Sequence, residues 1–398
     1  MDNLTHSLAG LTVAEAALRF VPPHARSKAR GYAWTLSAIA NNFPDLDIVY
    51  APFLSGRMSY LLHHRGHTHT LLVGLFESVF VFALGWVWAK RKKRNVSKIE
   101  IRLWWGLCFL GPILHIGLDY LNSYGVHPFW PIDNRWYYGD SLFILEPTFW
   151  VLLIPPLFFV SSNPIVRALF GAMFATSLIV SWATPFIPTT LAILLTGLAG
   201  GAWFAARHAW HRYVWVSSLL VLLIFFVVGR IARGQILRSV SSGVDFQDII
   251  LSPLPANPLC WAVITVEKYA RKYRIRKGLV GPFPAIYPPE RCPRARQLET
   301  TMPRLPVSLP EEAHVMWIGQ WEEEWERIES MERTHCGFSA FVRFARAPFI
   351  VPLGSQWIIG DARYDVDADL GFAEFIVPPR ANSCPTHVPP WEGKLFAH

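Results

Sequence analysis

Residues 70–94 read TLLVGLFESVFVFALGWVWAKRKKR. The first 20 are almost wholly apolar and the last five are all cationic. An apolar run of roughly 20 residues is what a helix needs to cross a hydrocarbon core about 30 Å thick. A dense Lys/Arg run at its end is what cytoplasmic loops carry. The stretch therefore predicts a membrane-spanning helix that leaves the bilayer on the cytoplasmic side at residue 90.

Working outward, similar runs recur at 102–121, 186–206 and 213–231, with a slightly weaker one at 164–183. Residues 148–161 are short and carry Pro155 and Pro156, which suits a kinked or tilted span. Residues 4–20 and 32–49 are weaker still, with Glu15 in the first and Asp45 and Asp47 ending the second. About eight helices result. The start lacks a basic region and has Asp2, unlike a cleaved signal peptide. Alternation from the basic loop puts Arg19, Arg26, Lys28, Arg30, Arg167, Arg207 and Arg212 inside. It puts the N-terminus and everything after residue 231 outside.

Composition agrees. The 398 residues are 52% hydrophobic and 17% charged, where soluble domains average about 25% charged. That excludes a disordered or collagen-like chain and an ordinary soluble enzyme. Residues 1–231 hold 18 Lys/Arg against 10 Asp/Glu, and residues 232–398 hold 19 of each. The whole excess of +8 lies in the first part. The expected fold is an α-helical polytopic membrane protein of about eight helices with a C-terminal soluble β-rich (α+β) domain. The expected divisions are 1–161, 162–231 and 232–398. The basic run reads as a topology signal, so no nucleic-acid partner is expected. The oligomeric state is left open.

The polar residues that chemistry would use cluster near helix ends. Residues 63–69 read HHRGHTH, and Gly66 permits a sharp turn between His64 and His69. Imidazole is a common zinc ligand. A water-exposed, protonatable cluster is the plainer alternative. His115 and Asp119 are i, i+4, so they share a helix face. Both could reach one metal, the carboxylate could orient the imidazole, or the pair could make a structural interhelical bond. Asp45 and Asp47 lie two apart after Pro44, and His6 opens the first helix. By the charge-derived topology all these ends lie on the outer side, which supports a single site. Asp133, Asp140 and Glu146 in the next outer loop could complete it.

The motif set resembles the YdjM family of bacterial inner-membrane proteins, described as membrane-bound metal-dependent hydrolases. The matching pieces are Thr5-His6, Pro44-Asp45-Leu46-Asp47, and His64-Arg65-Gly66-His67-Thr68-His69. His115-x3-Asp119-x2-Asn122-x-Tyr124-Gly125 and Pro128-Phe129-Trp130-Pro131 follow. Glu146-Pro147 stands where the family has Asp-Pro. The resemblance covers roughly residues 1–160. It implies an inner-membrane, multi-pass protein and, through a distant likeness to zinc-dependent phospholipase C and P1-type nucleases, phosphoester hydrolysis.

On this reading His6, His64, His69, His115 and Asp119 are the expected metal ligands. The cofactor is a divalent metal, zinc or manganese. Asp45 and Asp47 are ligands or the base that orients water, and Arg65 stabilises developing negative charge. The substrate is a small-molecule or lipid phosphoester at the outer face, with the bilayer as the other partner. Two other classes compete. One is a non-enzymatic membrane protein with a structural or sensory metal site and a partner-binding tail. The other is a transporter, disfavoured because the polar groups gather at helix ends rather than at the midplane.

The tail is Pro-rich and soluble in composition. It predicts strands at 261–267, 348–352, 357–364 and 372–377, and a charged helix at 311–333. Cys260, Cys292, Cys336 and Cys384 permit up to two disulfides in three connectivities, or free thiols. Asp365, Asp367 and Asp369 lack the glycine a calcium loop needs. No P-loop, dinucleotide-binding glycine pattern or serine nucleophile elbow appears.

Overall fold

The structure is a computed structural model that describes residues 1–54, 58–239, 244–293, 314–365, 370–378 and 384–395. Its helices in chain order are α1 (Asn3–Ala17), α2 (Pro23–Ala40), α3 (Asp47–Tyr50), α4 (Ser59–His63), α5 (Leu71–Arg91) and α6 (Lys98–Tyr120). They continue as α7 (Pro147–Val160), α8 (Pro164–Ala183), α9 (Thr189–Arg207), α10 (His211–Ser239), α11 (Trp325–Thr334) and α12 (Cys336–Phe341). The strands are β1 (Val244–Leu254), β2 (Asn257–Tyr269), β3 (Lys272–Val280), β4 (Val315–Glu324), β5 (Pro348–Leu353), β6 (Gln356–Asp361) and β7 (Glu374–Val377).

All eight expected membrane-region helices form, as α1, α2 and α5 to α10. Five of them, α5, α6, α8, α9 and α10, are long and apolar enough to cross a membrane. The α7 helix is apolar but shorter. The second helix ends earlier than expected. It stops at Ala40, and Asp45 falls in a 3-10 turn (Phe43–Leu46) beyond it. The chain turns at Asn41 and Asn42, and Pro44 sits in the first turn of the 3-10 segment, where its missing N–H costs no hydrogen bond.

The chain divides into two compact units. One comprises residues 1–47, 65–132 and 137–224; the other comprises 48–64, 133–136 and 225–398.

In the first unit, polar caps set where the helices start. Asp2 caps α1, accepting from Thr5 N at 2.9 Å and from Thr5 Oγ1 at 2.6 Å. Thr70 Oγ1 accepts from Val73 N at 3.1 Å and opens α5 directly after His69. Ser97 and Glu100 form a capping box on α6. Close packing then sets how the helices meet. A Cβ on Gly111 of α6 would fall 2.5 Å from Ala40 Cβ, and one on Gly85 of α5 would fall 2.6 Å from Leu36. Helices α5 and α6 therefore press their backbones against α2, as small residues permit in a bilayer. His115, one turn after Gly111, is thereby carried to the C-terminal end of α2.

The second unit holds a four-stranded antiparallel sheet, β1-β2-β3-β4, and a three-stranded one, β5-β6-β7. The strands expected at 261–267, 348–352, 357–364 and 372–377 correspond to β2, β5, β6 and β7. The helix expected at 311–333 is corrected. Residues 315–324 form β4 and only Trp325–Thr334 is helical, while 311–313 lie outside the described residues. The VMWIGQW run suits a strand, with its β-branched and aromatic residues. The acids after it lie opposite cations of β3, with Lys272 facing Glu324 and Arg274 facing Glu322. Such opposite-charge pairs stabilise a sheet. Residues 366–369, in the acid-spaced run, lie outside the described residues.

Two disulfides tie this unit, Cys260–Cys292 and Cys336–Cys384, with Cα separations of 5.8 and 5.5 Å. Cys108 of α6 is free and buried. Buried charges are paired. Glu267 meets Arg274 at 2.5 Å and Arg276 at 2.6 Å, and Arg346 meets Asp248 at 2.8 Å. The final described stretch is laced to the loop 48–64. Trp391 Nε1 donates to Leu62 O at 2.8 Å, and Thr386 Oγ1 donates to Leu54 O at 3.1 Å.

Candidate metal centre

The site is built in the first unit where α2 ends, α5 begins and α6 ends. His115 and Asp119 project from the same face of α6, and both are fully buried. His115 Nδ1 lies 2.7 Å from the carbonyl of Asn41, the residue that ends α2. Only a donor satisfies a carbonyl there, so Nδ1 carries a proton and Nε2 is the nitrogen turned to the cluster. His115 Nε2 faces His69 Nε2 at 3.0 Å.

Two carboxylates close around these nitrogens. Asp45 Oδ1 lies 3.3 Å from His69 Nε2 and 3.5 Å from His115 Nε2. Asp119 Oδ2 lies 3.2 and 3.4 Å from the same two atoms. A tetrahedral zinc site with N and O ligands at ~2.0–2.1 Å has ligand-to-ligand edges of about 3.3–3.4 Å. Five of the edges among the four atoms run from 3.0 to 3.5 Å, and all four atoms lie within 4.8 Å of one another. Two imidazoles and two carboxylates converging in this way are chemically complete only with a cation or a shared proton between them. The donor set fits a borderline divalent metal.

Asp47 stands behind His69. Its Oδ2 lies 3.4 Å from His69 Nδ1 and accepts from Arg65 N at 2.9 Å and Thr68 Oγ1 at 3.0 Å. This is the carboxylate–histidine arrangement that orients a metal-binding imidazole. Burial opposes a charge on His69, but hydrogen bonds to Asp119, Asp45 and Asp47 outweigh it and hold the imidazole pKa well above its usual value. Proton and metal thus compete for the same nitrogen.

Around Asp119 Oδ1 the contacts are different. His6 Nε2 lies 3.2 Å away, and the Met1 amine also touches this oxygen. The His6 ring stacks on His115 at a centroid distance of 3.8 Å. Arg65 Nη2 reaches the same oxygen at 2.9 Å, and Arg65 Nη1 donates to Asn122 Oδ1 at 2.9 Å. Arg65 adopts φ +58 and stacks over Tyr124 at 4.8 Å.

Of the expected ligands, His69, His115 and Asp119 thus converge, with Asp45 as the fourth and His6 flanking. Asp47 supports rather than faces the cluster. His64 belongs to the second unit, where it ends α4 with its ring against Tyr60 at 4.6 Å. Glu146 caps α7, accepting from Thr148 Oγ1 at 2.5 Å. Asp133 pairs with Arg135 at 2.6 Å in the second unit. Sequence reasoning passed over Glu77, a buried acid of α5 within electrostatic reach of His69, His115 and Asp47. The signal was present, since ionisable groups inside a span are functional candidates.

Comparison with known families points to the same part of the chain. Residues 1–184 match the YdjM inner membrane protein family. The resemblance carried by the sequence motifs is thereby borne out, and the YdjM match contains every residue of the cluster. A relative from Bacillus subtilis (strain 168), the uncharacterized protein YfhP, is 28% identical over 137 residues. That stretch is 34% of this chain and 39% of the relative, so the match spans well under half of either. No solved structure matches.

Proposed function

We propose that the YdjM-type region is a metal-dependent hydrolase centre at the outer face of the bacterial inner membrane, acting on a phosphoester. The observation that carries it is the facing pair of imidazole nitrogens closed by Asp45 and Asp119 at metal-ligand spacing. A divalent cation bound there supplies a Lewis acid that lowers the pKa of a coordinated water toward ~7.

The chain's own residues do the rest. Asn41 O and Asp47 hold His115 and His69 with their Nε2 atoms inward. Asp45 is the least buried of the four ligand residues. It is therefore the carboxylate best placed to take a proton from an incoming water. Arg65 sets a positive charge against Asp119, where negative charge develops on a phosphoryl oxygen. The disulfides favour an oxidising compartment for the tail, which agrees with the charge-derived topology. The apolar helices and the family favour a multi-pass inner-membrane location.

One observation favours a structural or sensory metal instead. The four ligand atoms come near to closing a tetrahedron, and catalytic sites keep a position open. Metal analysis of the detergent-purified full chain, joined to a lipid and phosphoester screen with His69→Ala as control, separates the readings. Stoichiometric metal with turnover lost in the variant supports the hydrolase. Stoichiometric metal without turnover supports the second reading, and no metal in the wild type removes both.

A further inference from the structure

Lys277 of β3 is 5% exposed, and lysines are rarely buried to that degree. Tyr273, Ile275 and Lys277 alternate along the strand and so share one face. Arg274 and Arg276, on the other face, are paired with Glu267. The Tyr273 ring meets Trp321 of β4, and Trp321 meets Phe349 of β5. The face that carries Lys277 therefore looks towards the three-stranded sheet, and the groups around its amine come from there.

Lys277 Nζ donates to the backbone carbonyl of Asp365 at 2.5 Å, and Oδ2 of the same residue lies 3.8 Å from Nζ. Asp365 is fully buried. Glu374 of β7 is also buried and lies within electrostatic reach of the amine. Its Oε2 accepts from Gly371 N at 2.7 Å. Gly360 of β6 pairs with it, and a Cβ there would crowd Glu374 Cγ at 3.0 Å. The third acid nearby, Asp361, is committed to Arg363 Nη2 at 2.8 Å and to Arg346 N at 3.0 Å. Burial pushes the Lys277 pKa down to about 8, against the pull of Asp365, Glu374 and Asp361. A desolvated amine of this kind is a nucleophile.

We infer that Lys277 and Asp365 join side chain to side chain through an amide bond, with Glu374 moving the protons. Nζ forms a bond to Asp365 Cγ, and the bond from Cγ to one carboxyl oxygen breaks. Counted from ammonium and carboxylate, Nζ gives up two protons. Glu374 takes them in turn and hands them to the departing oxygen, which leaves as water. No oxidant or reductant is needed. One charge of each sign disappears, so the product is free of the desolvation cost of a buried ion pair. The fold holds the two groups together across 88 residues of chain, which replaces a chance encounter. The bond ties β3 of the four-stranded sheet to the segment after β6 of the three-stranded one. Unlike the two disulfides of the tail it survives reduction, and it is independent of the metal centre.

Intact-mass spectrometry of the detergent-purified full chain, denatured and treated with a disulfide reductant, reads the bond directly. The wild type is expected to be one water lighter than its sequence. Its tryptic digest should contain a branched peptide that joins the Lys277 and Asp365 segments. Lys277→Arg keeps the positive charge without a nucleophilic amine, and should restore the full mass. Glu374→Gln keeps an oxygen for Gly371 N but loses the proton carrier. It should lower the cross-linked fraction by about tenfold or more. A wild type of full mass overturns the inference, whether or not the variants fold. So does a missing water that maps to a linear peptide, because an aspartate closing on its own backbone loses water without joining two segments. A deficit that persists in Lys277→Arg overturns it as well. An undiminished cross-link in Glu374→Gln removes the role given to Glu374.

Discussion

His69 and His115 face each other with their Nε2 atoms 3.0 Å apart, although 46 residues separate them in the chain. Each ring is held from behind, His115 by the Asn41 carbonyl and His69 by Asp47 and Thr68. Two nitrogens brought to that distance repel unless something positive lies between them. The surroundings spend hydrogen bonds on keeping them there, which is the behaviour of a site arranged for a cation.

The ligand and its support should therefore separate on mutation. His69→Ala removes one of four ligands and is expected to abolish stoichiometric metal. Asp47→Asn leaves the four ligand atoms but weakens the hold on His69, and is expected to lower metal affinity roughly 10- to 100-fold. Competition with a chelator of known affinity measures both. An Asp47→Asn protein with wild-type affinity would show that Asp47 does not orient the ring.

Acid should displace the metal. The neighbouring carboxylates hold the His69 pKa well above its usual value, so the metal-free site carries a proton that the metal must expel. Metal affinity then rises with pH until the pH passes that raised pKa, and falls progressively below it. Calorimetry in buffers of different protonation enthalpy should show protons released on binding. No proton release at neutral pH contradicts a protonated His69.

Much of this site was legible in the sequence because membrane physics makes polar residues informative. His115 and Asp119 at helical spacing in an apolar run, and four histidines among seven residues, stand out against a charge-poor background. The topology rule placed them on one side without using them. What spacing could not show was which residue supports which. Asp45 and Asp47 are equivalent in sequence, and only the turn after α2 separates them, one aimed at the cluster and one at the back of His69. Asn41 acts through its backbone carbonyl, which leaves no side-chain signature.

The tail was harder to read for a different reason. The β3 strand, KYRIRKGLV, carries four cations in nine residues and looks like a solvated segment. In the structure Arg274 and Arg276 are consumed by the buried Glu267 of β2. The acid-rich run after residue 320 looks helical until its partner strand is known. Both cases turn on pairing with a distant strand, which local pattern does not contain.

Acid should also weaken the tail. Burial raises the pKa of Asp248, but Arg346 and then Lys394 hold it well below the usual carboxylate range. A depressed carboxylate contributes stability that is present above its unfolded pKa of ~3.9 and is lost as pH falls toward the folded value. Arg346→Met at neutral pH leaves that buried carboxylate with Lys394 and the Ile249 N–H, and is expected to cost about 3–5 kcal/mol. Unfolding of the full chain followed by a fluorophore on the tail reads this. A loss under 1 kcal/mol would mean that Lys394, the Ile249 N–H and water suffice.

The cysteine pairing makes a prediction that needs no activity. With Cys260–Cys292 and Cys336–Cys384 closed, the denatured, unreduced chain should show one reactive thiol, Cys108. After reduction it should show five. Five thiols before reduction, in protein recovered from the membrane without reductant, would contradict an oxidising surrounding for the tail.

Trp391 offers a graded test of how the last described residues hold the loop 48–64. Its ring is buried and its Nε1 donates to Leu62 O. Trp391→Phe keeps most of the ring but strands the carbonyl, which costs about 1–3 kcal/mol. Trp391→Ala removes the ring as well and should cost about 3–5 kcal/mol. The loop joins Asp47 to Arg65 along the chain, so its loosening should also raise its rate of proteolysis in the order wild type, Phe, Ala. Metal content gives the second readout, since Asp47 and Arg65 both contact the cluster or its supports. Equal proteolysis in all three proteins would mean that Trp391 packs without holding the loop.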